Sequence, residues 1–229
     1  MEILREWDKL PRYMRTEEVR PYYESLQKKK ISLILKRGFD FIVSFLLLLI
    51  LLPIFIALST LIALDSGGRV FFCQERITQY GRKFRIYKFR TMVTNAEGLG
   101  FKITGFNDRR VTRIGKKIRR YRLDELPQLV NVLMGDMSFV GTRPEVTEFV
   151  KCYTPEMMAT LLLPAGITSE ASIQYKNEDL LAAGAENAER IYVDKILPGK
   201  MEYNLRSIRK FSFLKEIVTM VRTLLAVIH

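Results

Sequence analysis

The apolar positions of this chain form one unbroken run, one pair of aromatic-rich stretches and two stripes of helical spacing. The run FIVSFLLLLILLPIFIALSTLIAL, residues 41–64, holds no charge between Asp40 and Asp65. As a straight helix it would measure ~36 Å, enough to cross a ~30 Å hydrocarbon layer. About 40 residues precede it and no small-residue cleavage site follows, so it does not read as a signal peptide. Pro53 sits at its centre, where it removes a helix hydrogen bond and bends the axis. Basic residues flank both ends: Lys28, Lys29, Lys30, Lys36 and Arg37 before it, Arg69, Arg76, Arg82, Lys83, Arg85, Lys88 and Arg90 after it. A single crossing should carry them on one side only. The residues leave two readings open: one bitopic span, or a helix broken at Leu52-Pro53 that dips into one leaflet and returns.

Residues 1–30, with Pro11 and Pro21 as breakers, read as a helical or irregular preface. After the loop Asp65-Ser66-Gly67-Gly68, the stretches on either side of Tyr80-Gly81 predict a β-hairpin. Residues 94–108, with Gly98, Gly100 and Gly105, read as a loop whose spacing matches neither GxGxxG nor a Walker A sequence. A basic helix is expected over 112–122. Leu126, Leu129, Val130, Leu133 and Met134 then repeat at helical spacing, with Pro127 in the first turn and Gly135 past the end. This places Asp124 and Glu125 at a helix N-terminus, where negative charge is favoured. Residues 178–190 are alanine-rich and helical in propensity. From Arg206 to His229, a stripe of Phe213, Leu214, Ile217, Val218, Val221, Leu224 and Leu225 fits either a core helix or a basic helix lying on a bilayer.

Composition narrows the chemistry. Among 229 residues, 37 Lys and Arg face 25 Asp and Glu, a net charge of +12, while 48% of residues are hydrophobic, so charge and apolar surface must be segregated. Cys73 and Cys152 offer neither a disulfide framework nor a CxxC zinc site, which points to a reducing compartment. The one histidine, His229, is the last residue, which excludes histidine general bases and HExxH metal sites. Lys102, Arg109, Arg110, Arg113, Lys116, Lys117, Arg119, Arg120 and Arg122 stand against Asp108 alone just before Asp124 and Glu125. Such a block is either a solvated face or a site for phosphate. Cations hold a carboxylate ionised, and a carboxylate beside bound phosphate can attack phosphorus. An adjacent Glu can take a hard divalent ion such as Mg2+. Arg143, before Pro144, suits bidentate phosphate contact or an ion pair with Glu145. A membrane-tethered protein binding anionic lipid or nucleic acid is the rival reading, and two carboxylates inside the basic region count against a polyanion partner.

The segments Phe89-Arg90-Thr91-Met92, Leu123-Asp124-Glu125-Leu126-Pro127-Gln128-Leu129, Asn131-Val132-Leu133, Gly135-Asp136-Met137-Ser138 and Arg143-Pro144-Glu145 together resemble the bacterial sugar transferases known as monotopic phosphoglycosyl transferases, over Lys36 to Ile167. The length is similar to the small catalytic form of that family. The resemblance implies a helix-dominated α+β fold with a re-entrant membrane helix, a small β-hairpin and interfacial amphipathic helices, divided as preface 1–30, broken membrane helix 31–66 and cytoplasmic or interfacial catalytic domain 67–229. It implies that Asp124 attacks the β-phosphate of a UDP-sugar, releases UMP and passes the phosphosugar to polyprenol (undecaprenyl) phosphate. By the same resemblance Glu125, with Asp124, supports Mg2+ or orients the dyad, and Lys88, Arg90, Arg119, Arg143 and Pro144 serve substrate. The implied setting is the cytoplasmic face of the bacterial inner membrane, with anionic membrane lipids and downstream glycosyltransferases as partners and no nucleic acid. Three positions depart from the family pattern: Leu52-Pro53 where Ser-Pro is usual, Thr142-Arg143-Pro144 for Pro-Arg-Pro, and Gly166-Ile167-Thr168-Ser169 for Gly-Ile-Thr-Gly. The divergent stretch Glu170 to Asn204 is expected to carry sugar specificity.

Overall fold

The computed structural model describes residues 3–94, 108–176 and 188–228. Most of the glycine loop 94–108, Lys102, the alanine-rich stretch up to residue 187 and His229 lie outside the described residues.

Two short 3-10 turns, Trp7–Lys9 and Arg12–Met14, lead into α1, Arg20–Gln27. Met14, Val19, Tyr22 and Leu26 bury against Ile77, Leu161 and Leu162, so the first 30 residues share a core with the rest of the protein. Helices α2, Lys30–Ile50, and α3, Leu52–Asp65, meet at a 61° bend. The break lies at Leu51, one residue before the expected Leu52-Pro53. Pro53 has no N–H to donate back to Leu49 and fits best inside the first turn of a new helix. The ladder accordingly restarts with Phe55 N donating to Leu51 O at 2.9 Å. Among the described residues no single helix is long and apolar enough to cross a membrane; the bent pair qualifies as a broken span or a re-entrant loop, by length and composition.

One face of α2 exposes Ile34, Leu35, Phe41, Ile42, Phe45 and Leu49, while the opposite face buries Lys36, Asp40 and Ser44, spaced one turn apart. Those polar groups dock α2 onto the domain. Lys36 Nζ donates to Val140 O (2.7 Å) and Glu216 Oε2 (2.6 Å), and Asp40 Oδ1 accepts from Phe139 N (3.2 Å).

The expected hairpin forms: β1, Phe71–Ile77, pairs antiparallel with β2, Lys83–Phe89, from Phe71 opposite Phe89 to Ile77 opposite Lys83. Tyr80 and Gly81 both adopt positive φ in the connection. The basic helix also forms as α4, Arg113–Arg120, capped by the Thr112 hydroxyl accepting from Gly115 N. Next come a 3-10 turn, Leu123–Glu125, and α5, Gln128–Met134, which ends on Gly135 at φ 84°. Strand β3, Met137–Val140, pairs parallel with β4, Ala165–Thr168. A side chain at Gly166 would collide with the Gly141 backbone, so this pairing requires glycine there. Around it lie α6, Thr147–Val150, a 3-10 stretch Met157–Leu162, and α7, Glu170–Gln174.

The C-terminal part runs through α8, Ala188–Ile191, a π turn at Tyr192–Ile196, α9, Leu197–Arg209, and α10, Phe213–Ile228. The Arg206–His229 segment is therefore two helices, broken near Ser212. The core reading of its stripe fails for five of seven residues: Leu214, Val218, Val221, Leu224 and Leu225 are all more than half exposed. What α10 turns inward includes Phe213, set edge-on against Phe39 of α2 at 5.6 Å, and Thr219.

Candidate active site

Along β2, Phe84, Ile86 and Lys88 share one face. The first two pack on Leu129 and Val132 of α5, so the third is carried to the turn just before that helix. The other face presents Phe89 to Leu58, Ile62 and Ile118, which fixes the strand against α3 and α4. Asn131, fully buried on α5, ties helix to strand at the same level: its Oδ1 accepts from Tyr87 N (3.0 Å) and its Nδ2 donates to Arg85 O (2.8 Å). From the opposite side, Arg37 caps the far end of α5 by donating to Val132 O (2.7 Å) and Leu133 O (3.0 Å).

Asp124 and Glu125 occupy the 3-10 turn, both 8% exposed. They do not lie in the first turn of α5, whose N-cap is Pro127 and which is only seven residues long, so side-chain cations rather than a helix end compensate them. Arg122, at φ 52°, reverses the chain out of α4 and into this turn. A left-handed arginine costs about 1–2 kcal/mol and persists only where its surroundings hold it. Here the reversal brings its guanidinium 3.7 Å from Glu125 Oε2. Lys88 Nζ (3.1 Å) and Arg143 Nη2 (3.3 Å) approach Glu125 Oε1.

The two carboxyls differ sharply. Burial alone pushes Glu125 up, but Lys88, Arg143 and Arg122 outweigh it and hold the group far below the usual carboxylate range. Burial raises Asp124 above that range and the Glu125 charge adds to the rise; Lys88 and Arg119 offset only part of it. Among the described residues no Lys or Arg lies within ion-pair distance of Asp124.

Of the expected cluster, Lys88, Arg143, Asp124 and Glu125 converge. Arg119 stands nearby, its Nε donating to Thr91 Oγ1 at 3.0 Å. Arg90 is placed elsewhere: its guanidinium binds the carbonyls of Ser66 and Gly67 and the Ser66 hydroxyl, holding the exit of α3. The basic block divides. Arg122 pairs with Glu125, Arg119 binds Thr91 and lends its charge to Asp124 from a distance, Arg110 pairs with Asp108 at 2.6 Å, and Arg109, Arg113, Lys116, Lys117 and Arg120 form a solvated face. Pro144 keeps its loop in place through its carbonyl, which accepts from Arg76 Nη1 (3.3 Å). Thr142 O accepts from Gly166 N (2.9 Å) and Glu145 O from Ile77 N (3.0 Å), so the loop is anchored although Thr142 replaces a proline. Sequence reasoning missed Asn131 and Arg76 as parts of this framework. An amide in the middle of an apolar helix stripe was the available signal for the first; nothing marked the second among so many arginines.

Among the described residues no group of three or more His, Cys, Asp or Glu could hold a metal ion. Two adjacent carboxylates do fit Mg2+, which commonly takes one or two carboxylates and fills its other positions with water and substrate phosphate. Such an ion would share Glu125 with three cations.

A family described as bacterial sugar transferase matches residues 31–229. A UDP-N-acetylgalactosamine-undecaprenyl-phosphate N-acetylgalactosaminephosphotransferase of Aeromonas hydrophila is 36% identical over 203 residues, 87% of this chain and 45% of that protein. An undecaprenyl-phosphate glucose phosphotransferase of Komagataeibacter xylinus is 46% identical over 127 residues, 54% of this chain and 24% of that protein. A putative undecaprenyl-phosphate N-acetylgalactosaminyl 1-phosphate transferase of Bacillus subtilis is 44% identical over 131 residues, 57% of this chain and 73% of that protein. The match thus spans less than half the length of the first two relatives.

Proposed function

This chain belongs to the bacterial sugar transferase family, and from that premise we propose that it transfers a phosphosugar from a UDP-sugar to undecaprenyl phosphate, releasing UMP, at the start of glycan assembly. The observation that carries the mechanism is the division between the two carboxyls. Glu125 is ionised and engaged by Lys88, Arg143 and Arg122, whereas Asp124 has a raised pKa and hence a more basic, more nucleophilic carboxylate once ionised.

In the first step an Asp124 oxygen bonds to the sugar-bearing phosphorus, and the bond from that phosphorus to the bridging oxygen breaks, its electron pair leaving with UMP. In the second, an oxygen of undecaprenyl phosphate bonds to the same phosphorus and the Asp124 carboxylate departs. Neither step needs a proton relay, consistent with a site that contains no histidine. Lys88, Arg119 and Arg143 supply positive charge where phosphate charge accumulates. Bound Mg2+, held by Asp124 and Glu125, would neutralise diphosphate charge. The lipid acceptor calls for the bent α2–α3 pair to enter one leaflet of the inner membrane from the cytoplasmic face, with the exposed stripe of α10 on the bilayer surface.

The test is UMP release by the purified full chain with Mg2+, undecaprenyl phosphate and a panel of UDP-sugars. Asp124→Asn should cut turnover by at least about 10³-fold and abolish the covalent phosphosugar adduct. An adduct that survives this change removes Asp124 as nucleophile.

A further inference from the structure

Glu145 lies two residues past Arg143 and is 6% exposed. Its Oε1 accepts a hydrogen bond from the Tyr192 hydroxyl, which in turn accepts from Lys200 Nζ at 3.1 Å; the ammonium itself sits 3.8 Å from Glu145 Oε1. Lys200 is 3% exposed and Tyr192 8%, so a carboxylate, a phenol and an ammonium are sealed together away from water. The Tyr192 ring is backed by Phe149 at 4.8 Å.

The two donors arrive together because of an irregularity in the helix. Eight residues of regular α-helix rotate ~800°, which would leave positions 192 and 200 about 80° apart. The π turn Tyr192–Ile196 widens the helix there and lessens that rotation, bringing both onto Glu145. A buried ion pair of this kind adds little stability over apolar side chains of the same volume. What it does supply is a fixed position for the backbone that carries Glu145. That backbone is the Thr142–Glu145 loop, and Arg143 reaches from it to Glu125.

We propose that Tyr192 and Lys200 are positioning residues: by gripping Glu145 they hold Arg143 at the carboxylate pair, and so couple the C-terminal helices to the binding of the donor diphosphate. This rests on the reading that Arg143 serves the donor.

The experiment measures UDP affinity by titration calorimetry, with donor KM, acceptor KM, kcat and thermal midpoint, on the full chain in micelles. The variants are Tyr192→Phe, Lys200→Met, Arg143→Ala and the double variant Tyr192→Phe/Arg143→Ala. Tyr192→Phe and Lys200→Met should each weaken UDP binding and raise donor KM by about threefold to tenfold, with acceptor KM unchanged. In the Arg143→Ala background, Tyr192→Phe should add less than about twofold, because its effect passes through Arg143. If the variants lower the thermal midpoint but leave UDP affinity and donor KM at wild-type values, or if the effects multiply in the double variant, the proposal is overturned. Tyr192→Phe removes a single oxygen and decides the matter even where Lys200→Met does not fold. Should Arg143→Ala leave UDP affinity intact, or wild type bind no UDP, the reading of Arg143 fails first and takes this inference with it; loss in Arg143→Ala without loss in Tyr192→Phe sinks this inference alone.

Discussion

Two adjacent carboxyls in one buried turn cannot both be ionised cheaply, and the cations around Asp124 and Glu125 decide which of them stays charged. A nucleophilic Asp124 must be ionised, so turnover should fall as the pH drops through its raised pKa. Replacing Glu125 with Gln removes the neighbouring negative charge that adds to this rise and frees Lys88 and Arg143 to act on Asp124. Both changes lower the Asp124 pKa. The acid limb of the kcat/KM profile for Glu125→Gln should therefore move to lower pH; a limb that stays put or climbs contradicts the assignment. At this scale the sequence was readable where chemistry lies in neighbouring letters, as with Asp-Glu and Arg-Pro. It was not readable for Arg122, whose contribution depends on a left-handed backbone, nor for Arg90, whose motif position says nothing about the Ser66 and Gly67 carbonyls it binds.

Helix α2 shows how an element can be visible while its work is not. Its apolar run, its end near Pro53 and its flanking charges are all in the sequence, yet Lys36 and Arg37, which count there among the basic residues flanking the run, are structural. Arg37 caps α5, and Lys36 pairs with Glu216 of α10, with side-chain exposures of only 6% and 14%. Burial raises the Glu216 pKa despite the opposing Lys36 charge. Lys36→Met strands that carboxylate and should cost about 3–5 kcal/mol, read as a lower thermal midpoint, while Lys36→Met/Glu216→Leu should recover most of the loss. A double variant no more stable than the single would show that the pair is not the source. Partners 180 residues apart leave no local trace in a sequence, and the same applies to β4, a four-residue strand defined by its approach to β3.

Over the whole molecule the excess of apolar residues emerges at the surface. Among the described residues, exposed side chains of α2, α3 and α10 account for most of the large hydrophobics that face outward. If α2–α3 is re-entrant, Lys28→Cys and the native, exposed Cys73 should react with an impermeant maleimide from the same side of a bilayer, in a Cys152→Ser background. Labelling from opposite sides would establish a crossing. Since Leu214 and Val221 are exposed, Leu214→Glu/Val221→Glu should leave the thermal midpoint unchanged yet weaken partition onto anionic vesicles by more than tenfold, each lost leucine-sized contact being worth about 1.5–3 kcal/mol. Undiminished partition would remove α10 from the membrane surface. The polar face of α2 also sets a timetable. At about 5–20 residues per second, a ribosome that has just made Lys36 needs roughly ten to forty seconds to reach Glu216. Throughout that interval Lys36 lacks its carboxylate partner, and for the earlier part of it Phe139 and Val140, which bind Asp40 and Lys36, have not been synthesised either. Spaced one turn apart, Lys36 and Asp40 can neutralise each other while they wait, so α2 completes its docking onto the domain only when α10 delivers Glu216.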